Sequence, residues 1–229
     1  MKAVFVAGTD TGVGKTVVCG LLGRFFKERG VQVITQKWIQ SGSRRFSPDI
    51  ACQLKLMQQG KKEVSDYLSY MLPYSFKFSA SPHLAAQLEQ RNIKEDRIKK
   101  SLKVLSRCFD LVIVEGIGGV LVPFNNKRLV VDMVKEFKLP VIIVAANKLG
   151  AINHTLLTIE ALKKRRIKII GVIFNNLFKK ENPLILRDNP LIIKKISKIE
   201  ILGVLPYSKN KEVQYEKFQP IGRKIISNK

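Results

Sequence analysis

Two short stretches of this 229-residue chain hold residues that could work on phosphate. The first is Gly8-Thr9-Asp10-Thr11-Gly12-Val13-Gly14-Lys15-Thr16. It follows an apolar run and opens a helical pattern, the context of a phosphate-binding P-loop. Small residues let backbone N–H groups converge on phosphate oxygens, and the helix start adds its positive dipole end. Lys15 would bring a charge to the β- and γ-phosphates of ATP, and the Thr16 hydroxyl would ligate Mg²⁺. Gly12, Val13, Gly14 and Val17 belong to the same nucleotide-binding stretch. The second stretch runs from Leu111 through Val114 to Glu115-Gly116-Ile117-Gly118-Gly119. A carboxylate at the C-terminal end of a central parallel strand faces the phosphate crevice. Mg²⁺ prefers hard oxygen ligands, so Thr16 and Glu115 would be two of them. Gly116, Ile117 and Gly118 would allow close approach to the nucleotide or substrate. The plainer alternatives are a tight strand–helix turn for the first stretch and a solvated acid for the second.

The spacing of the loop narrows its class. Counting back from Gly14, the first-glycine slot holds Thr9, so the pattern is Gly-x5-Gly-Lys-Thr rather than Gly-x4-Gly-Lys-Thr. This points away from adenylate-kinase-like enzymes and toward the branch holding partition ATPases and ATP-dependent synthetases. Partition-type ATPases carry a second lysine early in the loop, and here that position is Asp10.

Elements must hold these groups in place. Apolar runs at Ala3 to Ala7, Val31 to Thr35, Leu111 to Val114, Val141 to Ala145, Ile167 to Phe174 and Ile201 to Leu205 read as strands. Between them lie helical patterns at Lys15 to Arg29, Pro48 to Gln59, His83 to Gln90, Lys94 to Arg107, Leu129 to Lys138, Ala151 to Arg165 and Asn189 to Ile199, with a short helix at the tail. Gly30 would stop the first helix, and Ser47 would cap the second. Tyr67 to Ser81 reads as irregular. Strands apolar on nearly every residue and separated by helices indicate a mainly parallel sheet covered on both faces. The expectation is one doubly wound α/β domain over residues 1–229, with a P-loop NTPase fold.

Composition sets the class. Lys and Arg number 41 against 18 Asp and Glu, a formal charge of +23, with 45% hydrophobic residues, enough for a full core. The chain is therefore not an acidic disordered tail. No apolar run approaches the roughly 20 residues that span a bilayer, and the short N-terminal run does not read as a signal peptide. Cys19, Cys52 and Cys108 are odd in number and far apart, with no Cys-x-x-Cys, so neither a disulfide frame nor a zinc site is indicated and a reducing cytoplasm fits. The charge excess could serve nucleic acid. However, the cations come as short groups such as Lys99-Lys100 and Lys163-Lys164-Arg165-Arg166, without aromatic interleaving or a nucleic-acid-binding module, which argues against that partner.

Taken with Lys37-x3-Ser41-Gly42, Ser81-Pro82-His83 and Lys148-Leu149-Gly150-Ala151-Ile152-Asn153-His154, the two motifs resemble the dethiobiotin synthase family from Val4 to about Tyr207. The resemblance implies a homodimer that closes a ureido ring from 7,8-diaminononanoate, CO2 and ATP with Mg²⁺, through a carbamate and a carbamic–phosphoric anhydride. It implies that Thr11, Lys15 and Lys37 surround the carbamate and γ-phosphate, with Lys37 at the end of the second strand, beside the P-loop strand. Ser41 would touch the diamine. Thr16, Asp49 and Glu115 would be metal ligands. Asn175 would read adenine, next to Asn176, and Pro206, Tyr207 and Ser208 would flank the base. Gly150 and Asn153 would reach the diamine carboxylate in the partner subunit. The chain departs from the family pattern at Trp38-Ile39, where Pro-Val is usual, and at Gly12, where some members have Glu. Two other readings stand beside this one. One is a cobyrinate-type amidating synthetase, for whose glutaminase domain the chain has no room. The other is a partition-type switch that binds DNA through its basic surface.

Overall fold

Strands apolar on both faces are stable only inside two helical layers, and the chain builds that sandwich. The computed structural model describes residues 2–44 and 46–228. In chain order the elements are β1 (Ala3–Gly8), α1 (Lys15–Lys27), β2 (Val33–Lys37), β3 (Ile39–Gln40), α2 (Pro48–Leu56), α3 (Leu68–Met71), β4 (Tyr74–Ser75), α4 (Pro82–Leu88), α5 (Glu95–Cys108), β5 (Leu111–Gly119), α6 (Val130–Glu136), β6 (Val141–Ala146), α7 (Ala151–Lys164), β7 (Ile169–Asn175), α8 (Pro183–Ser197), β8 (Ile201–Leu205) and α9 (Lys211–Ser227). A 3₁₀ segment at Lys61–Tyr67 precedes α3.

The main sheet has the order β2-β5-β1-β6-β7-β8, and every pair in it is parallel. Alternate residues of each strand feed different cores. Val4 and Val6 join Leu21, Phe25 and Phe218 on the α1 and α9 face. Phe5 and Ala7 join Val131, Ile159 and Leu162 on the α6 and α7 face. Side chains alternate across a strand, so one apolar run serves both layers. The three cysteines are free. Among the described residues no helix is long and apolar enough to cross a membrane.

Several boundaries differ from the sequence-based expectation, each for a local reason. β2 starts at Val33, because Gln32 is taken up in a reciprocal contact with Asp110: its N–H donates to Oδ2 at 3.0 Å, and its carbonyl accepts from the Asp110 N–H at 2.8 Å. The stretch expected to be irregular contains α3 and β4, anchored by the buried Met71, Tyr74 and Phe76. α8 begins at Pro183, six residues before Asn189, with the Asn182 side chain accepting from the Leu184 N–H. Pro190 then lies inside the helix and leaves the carbonyl four residues back without its helical donor. That carbonyl, on Leu186, accepts instead from Asn147 Nδ2 at 3.0 Å. The tail helix is 17 residues long rather than short.

Candidate active site

The site grows from the turn after β1. Gly12 and Gly14 take positive φ values of 76° and 97°, a conformation that admits glycine without strain. A Cβ on Gly14 would also lie 2.1 Å from Asn175 Nδ2. That amide donates to the Val13 carbonyl at 3.0 Å, tying the loop to the end of β7. α1 opens with no acidic residue in its first turn, which leaves its positive end for an anion. The Lys15 side chain folds back over the loop, its Nζ donating to the Asp10 carbonyl at 2.8 Å.

Lys37 and Glu115 are register partners on neighbouring strands. β5 lies between β2 and the P-loop strand, so the expectation that Lys37 sits beside β1 is corrected by one strand. The Lys37 ammonium donates to Glu115 Oε1 at 2.5 Å and to the Gly116 carbonyl at 3.2 Å, and it lies 2.9 Å from Asp49 Oδ2. The Thr16 hydroxyl donates to the same Glu115 Oε1 at 2.9 Å. Asp49 enters on the first turn of α2, whose N-cap is the expected Ser47, with Oγ accepting from the Ile50 N–H at 3.2 Å.

Burial treats the two lysines differently. Burial, aided by the nearby Lys37 charge, lowers the Lys15 pKa to about 8. Burial also works against the Lys37 charge, but the Glu115 and Asp49 carboxylates outweigh it and raise that pKa. Asp49 and Glu115 set carboxylate oxygens around one cation, the Lys37 ammonium, and the Thr16 hydroxyl meets the same Glu115 oxygen. Hard oxygens of this kind have the chemistry to hold Mg²⁺.

These groups open into a cleft of about 580 Å³, lined by Thr11, Gly12, Gly14, Lys15, Thr16, Lys37, Ser41, Asp49, Glu115, Ile117 and Gly118 among others. The structure thus brings Thr11 and Ser41 into one cleft with Lys15, Thr16, Lys37, Asp49 and Glu115. Trp38 does not disturb them. Its ring turns into the core against Phe5 and Phe137, with centroids 4.9 and 5.6 Å away, and its Nε1–H donates to Gln36 Oε1.

Other expected residues lie elsewhere. Val13 lines a smaller cavity of about 260 Å³, with Lys148, His154 and Phe178. Gly150 caps α7 at φ 86°, and Asn153 is exposed on the first turn of that helix; neither lines the main cleft. Gly116 is buried under the Phe5 ring, and Val17 packs partly against the α1-side core. Asn176 Oδ1 accepts from Asn147 Nδ2. Pro206, Tyr207 and Ser208 follow β8 next to the Asn175 end of β7, outside the cleft lining. Glu212, on the first turn of α9, is paired with Arg24 at 2.8 Å. The sequence reading missed Gln53, whose Nε2 donates to Glu115 Oε2. Its spacing of four from Asp49 puts both on one face of α2, but no local signal ties that face to Glu115. It also missed Gln40 and Ser79 in the cleft wall.

The fold, the P-loop and the paired lysine and carboxylates define a P-loop NTPase. Solved structures share the fold at low identity. The Mycobacterium smegmatis cobyrinic acid a,c-diamide synthase with bound ADP and magnesium is 17% identical with a TM-score of 0.56, covering 96% of this chain and 92% of that one. The pNOB8 ParA bound to nonspecific DNA is 13% identical with a TM-score of 0.60, covering 99% and 98%. A family profile described as an AAA domain matches residues 2–213. Among curated relatives, the ATP-dependent dethiobiotin synthetase of Chlorobaculum tepidum is 44% identical over 77% of this chain and 74% of its own length. Those of Halalkalibacterium halodurans and Thermodesulfovibrio yellowstonii are 39% and 35% identical, covering 91% and 90% of this chain and 86% and 90% of theirs. The chain belongs to the ATP-dependent dethiobiotin synthetase family.

Proposed function

We propose that this chain forms dethiobiotin from 7,8-diaminononanoate, CO2 and ATP, releasing ADP and phosphate. The observation that carries the reading is the buried Lys37, held between Asp49 and Glu115 beside the P-loop of a dethiobiotin synthetase relative. One amine takes up CO2 as a carbamate. A carbamate oxygen attacks the γ-phosphorus and ADP leaves, giving a carbamic–phosphoric anhydride. The second amine then attacks the carbonyl, the ring closes, and phosphate leaves.

No protein nucleophile is needed. The work is positioning and charge neutralisation. Lys15 and Lys37 supply positive charge at the γ-phosphate end, and the α1 N-terminus receives the β-phosphate. Thr11 and Ser41 face the carbamate and diamine side of the cleft. Thr16, Asp49 and Glu115 would hold Mg²⁺, which when bound adds charge neutralisation on the phosphate oxygens. Asn175, Asn176 and the Pro206, Tyr207 and Ser208 loop flank the adenine in this reading.

The working unit is a homodimer in the cytoplasm. Gly150 and Asn153, at the start of α7, meet the diamine carboxylate of the other subunit's site, where free N–H groups suit an anion. Exposed Leu121, Leu149, Leu157 and Phe178 support pairing of two copies near the P-loop.

The test is product analysis. Incubation with the diamine, ATP, Mg²⁺ and ¹³C-bicarbonate should give dethiobiotin carrying the label at its ring carbonyl. Absence of labelled dethiobiotin from active, folded protein would overturn the reading.

A further inference from the structure

We propose that Gln53 is a positioning residue that holds the Glu115 carboxylate for Mg²⁺. The proposal rests on the reading of the cleft as a Mg²⁺–nucleotide site.

Gln53 is completely buried and does not line the cleft. Its Nε2 donates to Glu115 Oε2, while Thr16 and Lys37 take Oε1. The carboxylate is therefore gripped on both oxygens, with Oε2 pinned from behind and Oε1 turned toward the hydroxyl and the ammonium. Gln53 lies four residues after Asp49 on α2, so one helix face presents a metal carboxylate and the support of the other. α2 is itself fixed closely against α1: a Cβ on Gly20 would come 3.2 Å from the Gln53 Cα.

The orientation of the amide is settled by chemistry. Turning it over would aim its carbonyl at a carboxylate. In the orientation observed, Gln53 Oε1 is buried with no hydrogen-bond partner. An orphaned buried acceptor is costly, and natural cores contain few. An apolar side chain would fill this position without that cost, so what the amide contributes here is its N–H on Glu115. A glutamate in its place would set two carboxylates against each other, whereas the neutral amide donates to one. Supports of this kind orient metal ligands, and their loss typically lowers metal affinity by 10–100-fold.

The experiment uses Gln53→Leu and Gln53→Met, which keep the volume and remove the donor. Binding of a fluorescent ADP analogue is titrated with EDTA and then against rising Mg²⁺. Wild type should bind more tightly as Mg²⁺ is added. Both variants should keep the wild-type affinity in EDTA, while their half-saturating Mg²⁺ concentration rises roughly 10–100-fold. An unchanged half-saturation in either variant overturns the proposal. So does an equal loss of affinity with and without Mg²⁺, which would mark Gln53 as packing support alone. If Mg²⁺ fails to tighten binding in wild type, the reading of the cleft falls first, and the role of Gln53 falls with it.

Discussion

Lys37 and Lys15 are both buried, and their surroundings set them different tasks. Lys37 is fixed by two carboxylates. Lys37→Ala should lower turnover about 10²–10³-fold, as loss of a group acting on developing charge typically does. It should also destabilise the nucleotide-free protein by about 3 kcal/mol, because Glu115 loses its buried counter-charge. This is the low end of the usual cost, since Thr16 and Gln53 still donate to Glu115. Steady-state rates and urea unfolding check both, and unchanged turnover would remove Lys37 from the phosphate. Lys15, held near a pKa of about 8 by burial, should make binding pH-dependent. Phosphate binding needs its charged form, so nucleotide affinity should fall above pH 8, by at most about tenfold per pH unit. Stability of the nucleotide-free protein should run the other way. Between about 8 and the ordinary value of 10.5, an unfolded Lys15 keeps a proton that the folded one has lost, so the unfolded state binds more protons and stability rises with pH. Binding and unfolding measured from about pH 7 to pH 9.5 test this, and a flat affinity profile would contradict it. The P-loop and Glu115 were legible because their chemistry is bound to a short motif and to a strand end. Lys37 and Asp49 came only from the family resemblance, since a lone lysine and a first-turn helix acid carry no local signal. Gln53 was not legible, because an amide inside a helix reads as a solvated side chain until the carboxylate strand is placed beside it.

The elements set distances between these groups. Thr16 and Gly20 lie one turn apart on α1, and Asp49 and Gln53 one turn apart on α2. A Cβ on Gly20 would meet the Leu56 Cβ at 2.7 Å. Gly20→Ala should therefore push α2 outward, destabilise the fold by about 1–3 kcal/mol, and raise the Mg²⁺ concentration needed for half-maximal turnover by moving Asp49 away from Thr16. Denaturant unfolding and a Mg²⁺ titration of the rate check both. A variant with wild-type Mg²⁺ demand would show that this helix contact does not set the site. The strands and most helices were legible from uninterrupted apolar runs and 3.6-residue patterns. The start of α8 was not, because Pro190 reads as a helix boundary and its remedy comes from Asn147, 43 residues earlier in sequence and on the loop after β6. Nor was β3–β4 pairing, since two-residue strands leave no periodicity to read.

At the scale of the whole molecule, sheet order decides which groups meet. Local patterns give six strands but not that β5 lies between β1 and β2, and this places Glu115 between Thr16 and Lys37. The +23 charge pulls the reading in another direction, toward an ATPase that responds to DNA. Asp10 stands in the slot of the partition-type lysine and spends its carboxylate on the Thr11 N–H, whereas Lys37 and Ser41 face the cleft as the synthetase reading requires. ADP formation measured with each component omitted in turn separates the two most directly. The account predicts rapid ADP formation only when diaminononanoate and bicarbonate are both present, unchanged by added DNA. Equal ADP formation without the diamine, or stimulation by DNA in its place, would contradict it.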